Sequence, residues 1–196
     1  MLQELSTPLL QEASSIVLET RRLVLRQPTL ADVKAIARLA NDRRVAANLR
    51  RVPHPYTTDD AIAFVSTAAR AGRDTVWLIE HAGEPIGITG LEWHDATTPE
   101  LGYWLGVEQW GRGFATEAAR AVIDYAFEDT AATRLVSGAR VTNTASRHVL
   151  QKCSFQWTGV ELHRFVALGC STPVDRFRLD RAIWASLRTW GRSTRR

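Results

Sequence analysis

Cysteine is scarce in this chain. Cys153 and Cys170 are the only two among 196 residues, and no CxxC spacing occurs. A disulfide framework is therefore not expected. His, Cys and Asp form no cluster at metal-ligand spacing, so no metal is expected either. Runs of about 18 apolar residues are also missing, which excludes a helix that crosses a membrane. The opening stretch, MLQELSTPLLQEASS, has no basic segment followed by an apolar one and does not read as a secretory signal. These absences favour a reducing, cytoplasmic setting. Internal repeats, low-complexity tracts and domain linkers are absent too. Two common phosphate loops, GxxxxGK followed by Ser or Thr and GxGxxG at a helix start, do not occur. Positive charge is only in modest excess, net +4. The arginines are scattered, as at Arg21–Arg22, Arg43–Arg44, Arg50–Arg51, Arg192, Arg195 and Arg196, with no aromatic-interleaved basic stripe. Nucleic acid is thus not the expected partner, and a mild positive field suits an anionic cofactor better.

What is present is globular: 45% apolar and 23% charged residues, suited to one domain with one core. The expected division is a loose leader over 1–15, a single domain over 16–183, and a helix and tail over 184–196. Residues 16–27 (IVLETRRLVLRQ) read as one strand with Leu23 and Leu25 on one face. Thr29 and Asp32 resemble a capping box before a helix that turns Val33, Ile36, Ala37 and Ala40 inward. An Arg-rich link ends at Pro53-His54-Pro55-Tyr56. A second helix opens at Asp59–Asp60, buries Ala61, Phe64, Val65, Ala68 and Ala69, and stops at Gly72. Apolar runs at 75–81 and 85–93 flank Ala82-Gly83-Glu84 as a hairpin, and Glu100–Val107 adds a third strand. A helix to about Glu128, a strand at 134–142, a short helix at 144–153, strands at 155–168 and 174–181, and a terminal helix follow. Antiparallel strands with one strand–helix–strand crossover behind them define an α+β fold. The seven tryptophans read as packing, and Trp110 alone is singled out by its place.

Residues 110–120, WGRGFATEAAR, are the most informative. A strand leads into Gly111-Arg112-Gly113, and Ala115, Ala118, Ala119, Val122, Ile123, Ala126 and Phe127 then recur at helical spacing. Such a turn leaves backbone N–H groups unpaired at a helix start, where the dipole adds positive charge. The result is a site for phosphate or pyrophosphate, and glycine lets an anion approach the amides.

This wording resembles the acyl-CoA pyrophosphate loop of the GNAT N-acetyltransferases, (R/Q)xxGx(G/A). Gly113 and Ala115 take the small-residue positions. Trp110 stands where Arg or Gln is usual, as in the branch similar to the RimJ/RimL ribosomal-protein N-terminal acetyltransferases. A second stretch, NTASRHVLQKCSF over 143–155, supplies Asn143 and Ser146 as NxxS and Phe155 as the expected phenylalanine. Ser154 replaces the usual glycine, so that helix lacks its favoured C-cap residue. The stretch FQWTGVELHR…VDRFRLDR resembles the C-terminal hairpin of the same branch. The resemblance spans roughly residues 18–180.

It implies the GNAT fold: a mixed, mostly antiparallel central sheet, helices on both faces, and a splayed parallel strand pair, 100–107 with 134–142, at the cofactor cleft. It implies acetyl-CoA as acetyl donor. Trp110, Gly111, Arg112, Gly113, Ala115 and Thr116 would surround the pyrophosphate. The free strand edge Leu105–Val107 would pair with pantetheine and offer an oxyanion donor, and Asn143 and Ser146 would reach the same arm. Acyl transfer to an amine also needs a neutral amine and a proton for the leaving thiolate. Glu100 is the expected base. An ordinary Glu, near pKa ~4.3, is weak, so it needs burial or a relaying water, and a plain strand-end carboxylate is the even alternative. Glu92 and His94 lie on the adjacent strand, and one of them is expected to point into the same cleft, toward the substrate. The tyrosine that many GNATs use as acid would fall at Leu150, which excludes it there, so Ser146 is expected to protonate the thiolate or to cap the helix. Asn143 is equally a helix N-cap. The acceptor is expected near Arg50–Tyr56, with His54 and Tyr56, and near the 168–174 loop. It would be a primary amine, a protein N-terminus or a small molecule, with the enzyme a monomer or homodimer. Cys153 reads as packing and Cys170 as a loop residue. A non-catalytic acyl-CoA-binding module is the alternative.

Overall fold

The computed structural model describes residues 16–70 and 74–193, with backbone alone at 190–193. The 1–15 leader and Gly72 lie outside the described residues. The single strand expected over 16–27 is instead a tight hairpin of β1 (Leu18–Glu19) and β2 (Leu23–Arg26). Thr20 reverses the chain: its N–H donates to Leu23 C=O at 2.9 Å, and its Oγ1 accepts from Leu23 N–H at 2.9 Å. Leu23 and Leu25 are both buried. Thr29 N–H donates to Asp32 at 2.7 Å, ahead of α1 (Val33–Ala40), which buries Val33, Ile36, Ala37 and Ala40.

The Arg-rich link contains a short helix that the pattern did not show, α2 (Arg43–Ala46), capped by Asp42 accepting from Arg44 N–H at 2.8 Å. Next comes α3 (Thr58–Ala68), where Thr57 and Asp60 form the box. Ala61 and Val65 are buried there, but Ala69 is exposed beyond the helix end. Strands β3 (Thr75–His81) and β4 (Glu84–Trp93) are joined by Ala82-Gly83 at φ 52° and 81°, the positive pair of a type I′ turn.

β5 (Pro99–Leu105) stops two residues short of expectation, and Val107 opens a 3-10 turn instead. Then follow α4 (Phe114–Asp129), β6 (Arg134–Arg140), α5 (Thr144–Lys152), β7 (Gln156–Phe165), β8 (Cys170–Asp180) and α6 (Arg181–Ser193). Cys170 therefore begins a strand, paired with Phe165, and the expected 168–174 loop shrinks to a turn at 166–169. Cys153 is buried as expected.

Among the described residues the strands form one sheet, in the order β1-β2-β3-β4-β5-β6-β8-β7. Every neighbouring pair is antiparallel except β5–β6. The α4 side carries the larger core, including Phe114, Phe127 and Trp77. The α1–α3 side holds a second core with Ile36, Val65 and Leu78. Among the described residues no helix is long and apolar enough to cross a membrane.

Candidate active site

The sheet opens at its centre. β5 and β6 are registered only at Glu100↔Val136, so beyond that point the parallel strands part. Gly106 N–H donates to Ile86 C=O of β4 at 2.9 Å. By ladder alternation, the backbone groups of Tyr103 and Leu105 then face the gap toward β6. A cleft of about 1040 Å³ runs through this opening, with Leu105, Trp110, Ala115, Asn143 and Ser146 on its walls. Leu105 C=O accepts from Trp110 Nε1 at 2.9 Å, so the tryptophan ties the loop to the strand. Its N–H stays directed at the gap. Val107 lies in the 3-10 turn, away from that edge.

The glycine turn sits at the cleft end. Gly111 and Gly113 have φ 72° and 81°, left-handed conformations that cost a residue with a Cβ about 1–2 kcal/mol. Gly113 is the N-cap of α4, and among the described residues no side chain caps that end. The first helical amides, of Phe114, Ala115 and Thr116, are thus left for an external acceptor. The buried Phe114 ring anchors the turn, with the Arg22 and Arg112 guanidinia 4.5 and 4.8 Å from its centroid. Arg112 itself is exposed and donates to Gln109 at 2.7 Å. Glu117 accepts from Thr20 Oγ1 at 2.7 Å and from Arg22 N–H at 2.9 Å. This latches the β1–β2 turn onto the first turn of α4. Burial pulls the Glu117 carboxyl upward, but Thr20 and Arg22 together hold it below its ordinary value.

Across the gap, Asn143 Oδ1 caps α5 by accepting from Ser146 N–H at 3.1 Å. Its amide NH2 remains a donor. Ser146 Oγ lies 3.0 Å from Tyr103 Oη, which also donates to Ser146 C=O at 3.1 Å. Sequence reasoning missed Tyr103. The only signal was its place on the inward face of β5 between Leu101 and Leu105. Burial raises the Tyr103 hydroxyl above its ordinary pKa against the Ser146 bond, so it stays protonated and supports the serine.

Glu100 sits on the opposite face of β5, nearly buried, as the hub of a charged cluster. Arg176 Nη1 donates to it at 2.9 Å, His94 Nε2 lies at 2.8 Å, and Arg50 Nη2 at 3.4 Å. Burial pulls its carboxyl upward, yet Arg176 by hydrogen bond and charge, then Arg50 and His94, outweigh it and leave its pKa lowered. Glu100 is therefore ionised at neutral pH, and His94 must present Nε2–H to it. Arg176 can reach Glu100 because it lies over Gly138, where a Cβ would stand 2.8 Å from Nη1. Glu92 lines the cleft but is spent on Arg51, at 2.9 and 2.6 Å. Tyr56 lines it too, its hydroxyl pushed up to about 12 by burial and Asp60. His54 is exposed and outside the lining, while His94 enters only through Glu100. Among the described residues no group of three or more His, Cys, Asp or Glu could hold a metal ion.

The chain resembles known proteins in both sequence and shape. It is 31% identical over 150 residues to the uncharacterized N-acetyltransferase p20 of Bacillus licheniformis, covering 73% of this chain and 84% of that one. RimJ of Mycobacterium smegmatis, solved with CoA-disulfide, superposes with a TM-score of 0.73 at 21% identity, covering 88% and 94%. Spermidine N-acetyltransferase from Vibrio cholerae, in complex with CoA and spermine, gives 0.73 at 20% identity, covering 85% and 99%. Residues 22–156 match the model of the GNAT acetyltransferase domain. With the parted strands and the uncapped glycine turn, these matches place the chain in the GNAT acetyltransferase family.

Proposed function

We propose that this N-acetyltransferase moves acetyl from acetyl-CoA to an α-amine by direct attack. The observation that carries the reading is the alignment, along one cleft, of uncapped amides, a free strand edge and a supported serine. The residues fit the donor. The amides of Phe114, Ala115 and Thr116, with Gly111 and Gly113 allowing close approach, would take the diphosphate, and Arg112 and Trp110 would flank it. Leu105 and the Asn143 amide would pair with the pantetheine arm. The thioester supplies the activated acetyl group. Leu105 N–H would polarise its carbonyl and stabilise the developing oxyanion. Ser146, held by Tyr103, would pass a proton to the departing thiolate and take one in its place from the positively charged nitrogen of the tetrahedral intermediate.

Glu100 would drain the proton of the incoming ammonium through water, with half-exposed His94 as the exit to solvent. A carboxylate with a lowered pKa is a weak base. It suffices for an α-amine, pKa ~7.7–8, and poorly for a lysine-like amine near ~10.4. That difference favours an N-terminal or amino-acid α-amine over a long-chain amine.

Glu100→Gln and Tyr103→Phe are the tests. Each should lower kcat by about tenfold or more, with the thermal shift given by acetyl-CoA retained. Unchanged kcat in both would remove these roles. Intact CoA binding without transfer to any amine would leave an acyl-CoA-binding module in place of an enzyme.

A further inference from the structure

The acceptor half of the cleft holds two guanidinia, Arg140 and Arg50, without a close carboxylate partner. Four carboxylates line the whole cleft, Asp60, Asp74, Glu92 and Glu100, and each is already engaged. Asp60 accepts from Thr57, Asp74 from Trp93 N–H, Glu92 from Arg51, and Glu100 from Arg176. The cations are not all so engaged. Arg140, at the end of β6, lines the cleft and lies 5.6 Å from the Phe165 centroid. It donates to Ala47 C=O at 3.0 Å, and among the described residues its Nε has no hydrogen-bond partner and no carboxylate pairs with it. Arg50 is held only loosely, 3.4 Å from Glu100 and 3.4 Å from His163. A buried or half-buried guanidinium without a carboxylate costs free energy unless something anionic meets it. Arginine's planar fork matches a carboxylate or phosphate.

We infer that the acceptor is an amine bearing an anionic group, carboxylate or phosphate, which Arg140 and Arg50 receive while the amine faces Glu100. This rests on the acetyltransferase reading and narrows it. A polyamine has no anion to offer and would meet these guanidinia with like charge, so it is the disfavoured acceptor. The anion could belong to a small amino acid or phosphate-bearing amine, or to an acidic side chain near a peptide N-terminus.

The test is acetyl transfer to matched acceptors. One arm compares free amino acids with their amides and with spermidine. The other compares a peptide beginning Ser-Glu-Asp with one beginning Ser-Lys-Lys. In at least one arm the anionic member should have kcat/KM roughly tenfold or more above its partner. Arg140→Gln should collapse that ratio toward one with KM for acetyl-CoA unchanged, and Arg140→Lys should restore part of it. The arm that shows the ratio identifies the source of the anion. The thermal shift of the CoA-loaded protein with the same pairs is read in parallel. If nothing is acetylated, the enzyme reading fails, yet this shift still decides the charge preference. Equal ratios and equal shifts, or preference for spermidine or the lysine peptide, would overturn the inference.

Discussion

At the scale of single residues, Ser154 shows how a local rule can be broken and still obeyed in geometry. It has φ 67°, its N–H donates to Gln151 C=O at 2.9 Å, and Phe155 N–H donates to Leu150 C=O at 3.0 Å. That is a Schellman closure with serine where glycine is favoured. Ser154→Gly should relieve a left-handed penalty of about 1–2 kcal/mol, offset in part by glycine's extra unfolded-state entropy. We expect a net gain of about 0.5–1 kcal/mol and a Tm rise of about 1–4 °C; a fall in Tm would refute this account of the cap. The same scale shows what sequence reading reaches. The glycines, Asn143 and Ser146 were legible because their roles follow from order and spacing along the chain. Tyr103 was not, since its partner lies 43 positions away. Nor was the lowered pKa of Glu100, because Arg50 and Arg176 meet it only through the folded sheet.

At the scale of elements, most boundaries followed from period and caps, and the departures share a cause. The first strand broke where Thr20-Arg21-Arg22 offers side-chain bonds that compete with a ladder. α2 was hidden because four residues are too few for a periodic signal. The turn before α4 carries the element-level prediction. Gly113→Val should strain a φ of 81° and place a branched side chain beside the free amides. The thermal shift by acetyl-CoA, about 2.7 kcal/mol at a hundredfold excess over Kd for the native protein, should vanish while far-UV circular dichroism stays native. A full shift in this variant would mean that the diphosphate is held elsewhere. The Glu117 latch matters here as well, because it fixes the hairpin against the same helix turn.

At the scale of the molecule, the fold depends on carboxylates held ionised by arginine. Asp32 is lowered to about 2, first by its bond to Arg26 and then, against burial, by Thr29. Glu100 and Glu117 are lowered as well. A group whose folded pKa is depressed contributes stability that is present above its unfolded value and lost as pH falls through the folded one. For Asp32 that window runs from about 4 down to about 2, and the contribution is on the order of 2 kcal/mol. Unfolding free energy measured from pH 7 to pH 2 should therefore hold steady to about pH 5 and then drop, and Asp32→Asn should lessen the drop. A flat profile would show that these pairs add little. The sheet order and the parting of β5 from β6 join this charge network to the chemistry, because both cleft walls are strands of one sheet. The most direct test is a crystal structure with acetyl-CoA. The diphosphate should lie against the amides of Phe114, Ala115 and Thr116, with the thioester carbonyl near Leu105 N–H and the sulfur near Ser146 Oγ. A diphosphate bound away from that helix end, or a thioester lying outside the gap between β5 and β6, would contradict the account.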